Sequence, residues 1–307
     1  MMYFGDRPQV IEAEVWAVLP DRLRHRAEDN DWVKANRLKS TLHSLLESPS
    51  FDGEGGLYLV DVPYGRILHV DRQGNWEVAL EYDGEPNAVK RHPDGRWIVT
   101  DYRRGLLEFS PTEGSVKPIL ARRNSESFKG LNDLAISSAG DVYFTDQGQT
   151  GLHDPTGRVY RLAPDGKLDL LLSNVPSPNG VVLDSQESAL YIAATRDNSV
   201  WRAPLTPDGG VTKVGRFCSM FGAVGPDGLA MDADNNLFVA HASLGEVLVF
   251  SARGELVTRV ISTTGAIVTN LAFDPSDLHC LYITEAQSGS ILRARLPYRG
   301  ISLPRKK

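Results

Sequence analysis

The sequence has no uninterrupted apolar run approaching the roughly 20 residues that a membrane-spanning helix needs, and only two cysteines among its 307 residues. The lack of such a run excludes a helical membrane protein and predicts no membrane partner. Cys218 and Cys280 are far apart and lack CxxC spacing. They therefore predict buried free thiols in a reducing compartment, with a disulfide as the weaker alternative.

Positive charge is also scarce, because 33 Lys and Arg stand against 39 Asp and Glu for a net charge of −6. This balance argues against a nucleic-acid partner, since such proteins concentrate Lys and Arg. The first residues show no basic segment followed by an apolar one, so no secretion signal is predicted and the cytoplasm is the expected compartment. The 41% hydrophobic fraction indicates a globular protein with a sizeable core.

What is present is a repeat of six short stretches, each leading from a polar residue into an apolar strand at intervals of 40 to 48 residues. A turn and a second strand rich in β-branched and aromatic residues follow each time, and Pro-Asp-Gly or Asp-x-x-Gly turns introduce outer strands. This period and turn chemistry predict an all-β chain, a six-bladed β-propeller with four antiparallel strands per blade. The lead residues are Glu47, Asn87, Asn132, Asn179, Asp227 and Asn270.

The repeat predicts one propeller domain over residues 1–307, with the blades in 41–299. Residues 10–19 alternate with Ile11, Ala13, Val15, Ala17 and Leu19 on one face, which indicates a single half-buried strand. We expect this strand to close the last blade. The charged segment 20–40 is either a helix or lid-like loop near one mouth of the channel, or a plain surface connector.

The lead residues are expected to converge on the propeller axis, because the innermost strand of each blade lines the channel. Oxygen donors without thiolate or imidazole favour a hard cation such as Ca²⁺, Mg²⁺ or Mn²⁺. The simpler interpretation is that Asn and Asp lead strands because they form good turns. That interpretation explains any single Asn or Asp. It does not explain Glu47, which is a weak turn residue, or the absence of Ser, Thr and Lys from all six lead positions.

A second set of polar residues stands 14 or 15 positions after the leads, at the ends of the second strands. These residues could supply a general acid or base, or they could simply face solvent or hydrogen-bond between blades. The simpler alternative is favoured for Asp61 and Asp101, and both remain open for Asp146 and His241. The set comprises Asp61, Asp101, Asp146, His241 and Glu285.

The chain resembles the SMP-30/gluconolactonase/LRE-like family from about Glu47 to Leu296. The resemblance is carried by Glu-Ser-Pro at 47–49, Leu-Asn-Asp at 131–133, Tyr-Phe-Thr-Asp at 143–146, Ser-Pro-Asn-Gly at 177–180 and Gly-Pro-Asp-Gly at 225–228. It implies a six-bladed propeller with a divalent ion in its channel and lactonase activity, with Drp35-type and phosphotriesterase-type relatives.

The resemblance also implies roles for individual residues. The implied metal ligands are Glu47, Asn132, Asn179 and Asp227, although Asn132 is a substrate contact in some members, and Asp146 matches an acid/base aspartate. Asn87 and Asn270 are left as substrate-facing residues of the pocket. Sugar-lactone members often carry Arg where this chain has Gly130, beside Lys129, which makes a sugar-acid lactone a weaker expectation.

The predicted activity is hydrolysis of a small-molecule lactone by Lewis-acid activation at one divalent cation. Ca²⁺ is the leading choice, with Mg²⁺, Mn²⁺ or Zn²⁺ as alternatives. Asp227 or Asp146 would activate water, and Asp146 or His241 would protonate the leaving oxygen, while Lys129 and Glu285 are predicted to contact substrate. The alternatives are a phosphotriesterase that uses the same site and a metal-stabilised propeller that only binds. The sequence is silent on oligomeric state.

Overall fold

The computed structural model describes residues 7–25, 30–36 and 42–301, and it confirms a nearly all-β propeller of six four-stranded blades. In blades 1 to 5 the first four strands follow one another outward from the axis with antiparallel pairing, and in blade 6 the first three do so. Blade 1 consists of Leu46–Phe51, Leu57–Asp61, Arg66–Val70 and Trp76–Glu81. Blade 2 consists of Pro86–Arg91, Trp97–Asp101, Gly105–Ser110 and Ser115–Leu120. Blade 3 consists of Leu131–Ile136, Val142–Asp146, Gly157–Leu162 and Leu168–Val175.

The second half of the ring repeats this plan, with the amino-terminal strands added to it. Blade 4 consists of Pro178–Leu183, Ala189–Ala194, Ser199–Pro204 and Gly215–Ser219. Blade 5 consists of Pro226–Met231, Leu237–His241, Glu246–Phe250 and Leu256–Ile261, with Gln9–Glu12 as a fifth strand. Blade 6 consists of Val268–Phe273, Cys280–Glu285 and Ser290–Arg295, with Glu14–Val18 as its outer strand. Arg122–Arg123 and Glu126–Ser127 form a small hairpin after blade 2.

The amino-terminal segment closes the ring, as the repeat predicts, but it does so as two strands. Gln9–Glu12 pairs in parallel with the outer strand of blade 5, and Glu14–Val18 pairs antiparallel with blade 6. The prediction of one continuous alternating strand was therefore wrong. A register shift lies between Val15 and Ala17, and Val15 is exposed instead of buried, because a bulge breaks the strict alternation of faces.

The buried apolar side chains gather into six clusters, one at each junction between neighbouring blades. At the junction of blades 1 and 2, the Tyr58 ring packs edge-on against Trp97 with centroids 4.8 Å apart. Leu19 and Tyr282 belong to the cluster that joins blade 6 to blade 1. Because full burial of one large apolar side chain stabilises a fold by about 1.5–3 kcal/mol, the ring is stabilised at every junction, including its closure.

The described part of segment 20–40 contains a 3-10 turn at Asp21–Leu23 and an α-helix at Asp31–Asn36, and residues 26–29 and 37–40 lie outside the described residues. Asn30 Nδ2 donates to the Pro63 carbonyl of blade 1 at 2.8 Å, and Gln149 Nε2 of blade 3 donates to Asn36 Oδ1 at 3.3 Å. The helix therefore bridges loops of blades 1 and 3. No described helix is long and apolar enough to cross a bilayer.

Both cysteines are free thiols, as expected. Cys218 is buried, and burial raises its pKa to about 12. Cys280 is only half-buried, because it begins the second strand of blade 6, at the turn that follows the inner strand.

Candidate functional site

The mouth of the channel is defined by a register that recurs in all six blades. The first residue of each inner strand pairs with the last residue of the second strand, as Leu131 does with Asp146. The residues that follow these six first positions are therefore equivalent around the axis. They are Glu47, Asn87, Asn132, Asn179, Asp227 and Thr269.

Five of the six predicted lead residues occupy this ring, and the exception is blade 6. There Val268 pairs with Glu285, so Thr269 takes the lead position and Asn270 lies one residue further along the strand. Spacing could not reveal the offset, because a register shift follows the first paired residues in every inner strand. Such bulges free successive side chains from strict alternation and re-aim them.

Asn270 reaches the axis from its deeper position. Its Nδ2 donates to Glu47 Oε2 at 2.9 Å, and its Oδ1 accepts the Leu271 N–H at 2.8 Å. A Cβ on Gly228 would lie 2.3 Å from Asn270 Cγ, and one on Gly180 would lie 2.3 Å from the Asp227 carbonyl oxygen. Gly228 therefore leaves room for Asn270, and Gly180 leaves room for the backbone of blade 5.

Asp133, which the sequence reasoning missed, occupies the same level in blade 3. Its side chain is 2% exposed, and its Oδ1 accepts the Leu134 N–H at 2.8 Å, as Asn270 does for Leu271. The available signal was the Asn132-Asp133 pair itself, because two successive polar residues at the start of a buried inner strand are unusual. A strictly alternating strand would have turned only one of them toward the axis.

The site is strongly acidic. Burial, and then the neighbouring Asp227 carboxylate, raise the pKa of Glu47 well above its usual range, and Asp133 adds to the effect. Burial also raises the pKa of Asp133, against the opposing effect of the Lys90 ammonium group. Three carboxyl groups from blades 1, 3 and 5 thus share one low-dielectric region, where charge of one sign is costly.

The lead-ring amides supply further oxygen atoms. Asn132 Nδ2 donates to Gln147 Oε1 at 2.9 Å. This bond uses the amide nitrogen and leaves the side-chain oxygen Oδ1 of Asn132 for another partner. Asn87 and Asn179 are 8% and 9% exposed. Within the described part of the chain, no three His, Cys, Asp or Glu side chains lie close enough to hold a metal. A metal site here would therefore combine two carboxylates with amide oxygens, a donor set that suits a hard cation.

The predicted second ring has a shared anchoring function in four blades. Each carboxylate accepts the main-chain N–H of the residue just before its own inner strand. The four bonds are Leu45 to Asp61 at 2.8 Å, Glu85 to Asp101 at 2.9 Å, Gly130 to Asp146 at 2.9 Å and Ile267 to Glu285 at 3.2 Å. All four side chains are buried, and their described donors come from the same blade or from the segment that leads into it.

Among the described residues, Glu285 accepts more hydrogen bonds than the other three carboxylates, and Asp61 forms an ion pair. Glu285 also accepts the N–H groups of Gln287 and Ser288 at 2.8 Å each, so the geometry favours an anchoring role over the predicted substrate contact. Asp61 bonds Arg66, and burial raises its pKa to about 6 despite that partner.

Asp146 and His241 differ from the other strand-end residues because they have unused polar atoms. Asp146 Oδ2 forms no hydrogen bond within the described residues and lies 3.9 Å from Arg158 Nη1. Both ring nitrogens of His241 likewise form none there, and a Cβ on Gly222 would lie 2.5 Å from its Cε1. Burial raises the pKa of Asp146 and lowers the pKa of His241.

The Tyr102 ring at the rim of the mouth explains why the residue just before blade 3 is a glycine. A Cβ on Gly130 would lie 2.4 Å from the Tyr102 ring, so no larger residue fits there. Gln149 Nε2 donates to Tyr102 Oη at 3.1 Å, which links this ring to the Asp31–Asn36 helix. Lys129 is exposed and donates to Thr156 Oγ1 of the same blade at 2.9 Å, and therefore lies on the rim.

Comparison with known proteins finds relatives by sequence and, separately, solved structures of similar fold. The chain is 32% identical over 243 residues to a lactonase drp35 of Staphylococcus epidermidis, covering 75% of this chain and 72% of that protein. It is 31% identical over 229 residues to a lactonase drp35 of Staphylococcus aureus, covering 70% and 69%.

Solved structures show the same fold. A gluconolactonase from Xanthomonas campestris superposes with a TM-score of 0.73 at 22% identity, over 93% of this chain and 97% of that one. A calcium-binding regucalcin from Agrobacterium tumefaciens superposes with a TM-score of 0.74 at 19% identity, over 96% and 98%. The family model described as SMP-30/gluconolactonase/LRE-like region matches residues 45–287. The chain therefore belongs to the SMP-30/gluconolactonase/LRE-like family.

Proposed function

We propose that this protein is a lactonase that uses one divalent cation, with Ca²⁺ as the first choice, on the propeller axis. The observation that carries the proposal is the register that puts Glu47 and Asp227 at equivalent positions of the lead ring, where the second carboxylate helps to raise the pKa of the first. A cation between them would offset that repulsion. The Staphylococcus relatives named lactonase support the reaction, and the calcium-binding regucalcin supports the choice of ion.

The proposed ligands are Glu47, Asn132, Asn179 and Asp227. Two carboxylates would balance the charge of a divalent cation, and the amide oxygens would add ligands without adding charge. A bound cation would supply Lewis-acid polarisation of the lactone carbonyl group. Asn87 is the proposed substrate contact on the lead ring, whereas Asn270 is engaged with Glu47 and supports that ligand instead.

Asp227 is the proposed base. It is partly exposed, whereas Glu47 and Asp133 are buried, so a water molecule can reach it most directly. The Asp227 carboxylate takes a proton as the water oxygen bonds to the lactone carbonyl carbon. The carbon–oxygen bond of the ring then breaks, and the departing oxygen needs a proton from a second group.

Asp146 is the preferred proton donor. Its raised pKa favours the protonated carboxyl group, and its Oδ2 has no hydrogen bond within the described residues. His241 is disfavoured because its lowered pKa leaves the ring neutral at pH 7. Asp146→Asn keeps an acceptor for the Gly130 N–H but cannot donate an acidic proton. We expect it to lower kcat by about 10²–10⁴-fold, and an unchanged kcat would eliminate Asp146.

The decisive experiment is a substrate panel of sugar, aliphatic and aromatic lactones, measured before and after treatment with EDTA. Ca²⁺, Mg²⁺, Mn²⁺ and Zn²⁺ are then added back singly. We expect hydrolysis to vanish with the chelator and to return with one cation. Activity on a phosphotriester alone would assign the same site to phosphoryl chemistry, and no activity on either class would leave a binding propeller.

A further inference from the structure

Groups from four blades surround the Asp133 carboxylate. The carboxylate accepts the Leu134 N–H of its own strand at 2.8 Å, and it faces the Val181 N–H of blade 4, the Asn270 amide of blade 6 and the Lys90 ammonium group of blade 2. A carboxylate that is 2% exposed and held in this way is fixed in one orientation. Nothing in the proposed reaction consumes or produces a proton there.

Asn270 connects Asp133 to the proposed ligand Glu47. Its amide group carries two N–H donors, one of which is 2.9 Å from Glu47 Oε2 while the amide also faces the Asp133 carboxylate. The Asn270 side chain is itself 2% exposed, and Gly228 leaves just enough room for it. The orientation of Glu47 is therefore coupled to a carboxylate that belongs to blade 3.

The charges around the axis add a second coupling. Glu47, Asp133 and Asp227 would carry three negative charges when ionised, and Lys90 opposes one of them from its place beside Asp133. The four groups then hold two net negative charges, which one divalent cation cancels. Asp133 and Lys90 are not among the proposed ligands of the cation. They act on it through their charges, and Asp133 also acts through the orientation of Glu47.

We propose that Asp133 is a positioning residue that sets the affinity of the axial site for a divalent cation, through Asn270 and Glu47 and in opposition to Lys90. The inference rests on the proposed function only in requiring that a cation binds at the axis. Groups that orient metal ligands in this way commonly change metal affinity about 10- to 100-fold when they are altered.

The test is calorimetric titration of chelator-stripped protein with Ca²⁺, a readout that needs no substrate. Asp133→Asn is expected to weaken binding by about 10- to 100-fold. Lys90→Gln is expected to tighten it, because the variant removes a positive charge near the cation. Opposite signs from these two variants are the signature of the proposal, since a merely structural role would weaken binding in both.

Asp184→Asn is the matched control. Asp184 is also a buried aspartate that accepts main-chain N–H groups, but it lies in the turn after the inner strand of blade 4, where it binds Ser188. We expect this variant to lose stability while keeping the wild-type affinity for Ca²⁺. Equal weakening in Asp184→Asn and Asp133→Asn would overturn the proposal, because general loosening of the fold would then explain both.

A double-mutant cycle tests the route. If Asp133 acts through Asn270, then Asp133→Asn and Asn270→Ala should weaken Ca²⁺ binding together by less than the product of their separate effects. If Asp133→Asn does not fold, Lys90→Gln and Asn270→Ala still decide the matter by the sign of their effects. Wild-type protein that binds no divalent cation would overturn the metal site itself. Wild-type binding with unchanged affinity in Asp133→Asn would overturn only this inference.

Discussion

The lead ring and the strand-end ring contain similar residues at the same period, yet the structure treats them differently. On the lead ring, Glu47 accepts two hydrogen bonds and faces a second carboxylate, Asp227. At the strand ends, Asp101 accepts hydrogen bonds from Tyr82, Glu85, Arg103 and Arg104. A periodic carboxylate can therefore either face a second carboxylate, as the proposed cation ligand Glu47 does, or be saturated by hydrogen-bond donors, as Asp101 is.

The difference teaches that the number of donors around a buried carboxylate separates the two roles better than its position in a repeat. A saturated carboxylate is already stabilised, so its removal should cost folding energy. A carboxylate that meets another carboxylate is costly to the fold and is retained for what it binds. Each of the following predictions tests one side of this contrast.

The largest expected effect is that of Asp227→Ala. The variant removes both a proposed ligand and the proposed base, so we expect kcat/KM to fall by about 10²–10⁴-fold and calorimetric Ca²⁺ binding to weaken. Asp208→Ala is the matched control, because Pro207-Asp208-Gly209 repeats the Pro-Asp-Gly tripeptide in an exposed outer turn. Near-wild-type activity of Asp227→Ala would refute the axial site.

Chelation comes next. A cation that binds only the folded protein stabilises it by about 2.7 kcal/mol when its concentration is 100 times Kd. We expect EDTA to abolish lactone hydrolysis and to lower the midpoint of thermal unfolding, with both recovered on adding Ca²⁺. The Asp227→Ala protein serves as the control and should show little change in unfolding with EDTA. An EDTA-insensitive wild-type midpoint would count against a bound cation.

Asp101→Ala tests the strand-end ring. The variant leaves several buried donors unpaired, at a cost of about 1–3 kcal/mol for each group left unsatisfied. Urea unfolding should show this loss, while kcat of the folded fraction and the affinity for Ca²⁺ stay close to the wild type. A variant of normal stability with lost activity would show that Asp101 acts in catalysis and not as an anchor.

The smallest effect is expected for His241→Gln. Burial lowers the pKa of His241, so its neutral ring is a poor proton donor to the departing oxygen. We therefore expect little change in kcat/KM, with Asp146→Asn measured beside it as the comparison. A loss of turnover in His241→Gln that matches the loss in Asp146→Asn would instead assign a proton-transfer role to the histidine.

Much of the fold could be predicted because the repeat depends on short stretches of sequence. The turn residues and the β-branched second strands recur in every blade, so the six blades and the closure by Glu14–Val18 follow from the chain alone. The division of the amino-terminal strand between two blades could not be predicted. Ala13, where it divides, is an ordinary alternating residue, and only the packing of blades 5 and 6 determines which part joins each.

The sequence by itself determined the propeller, the family and five of the six lead positions, because these depend on period and local turn chemistry. Only the tertiary structure placed Thr269 on the lead ring, brought Asp133 to Asn270 and gave Glu285 its five hydrogen-bond donors. The physical reason is that a bulge shifts register by one residue without any clear mark in the sequence. Whether a buried carboxylate is saturated depends on donors in the neighbouring turns, such as Thr264 and Ile267 for Glu285, which only the fold brings around it.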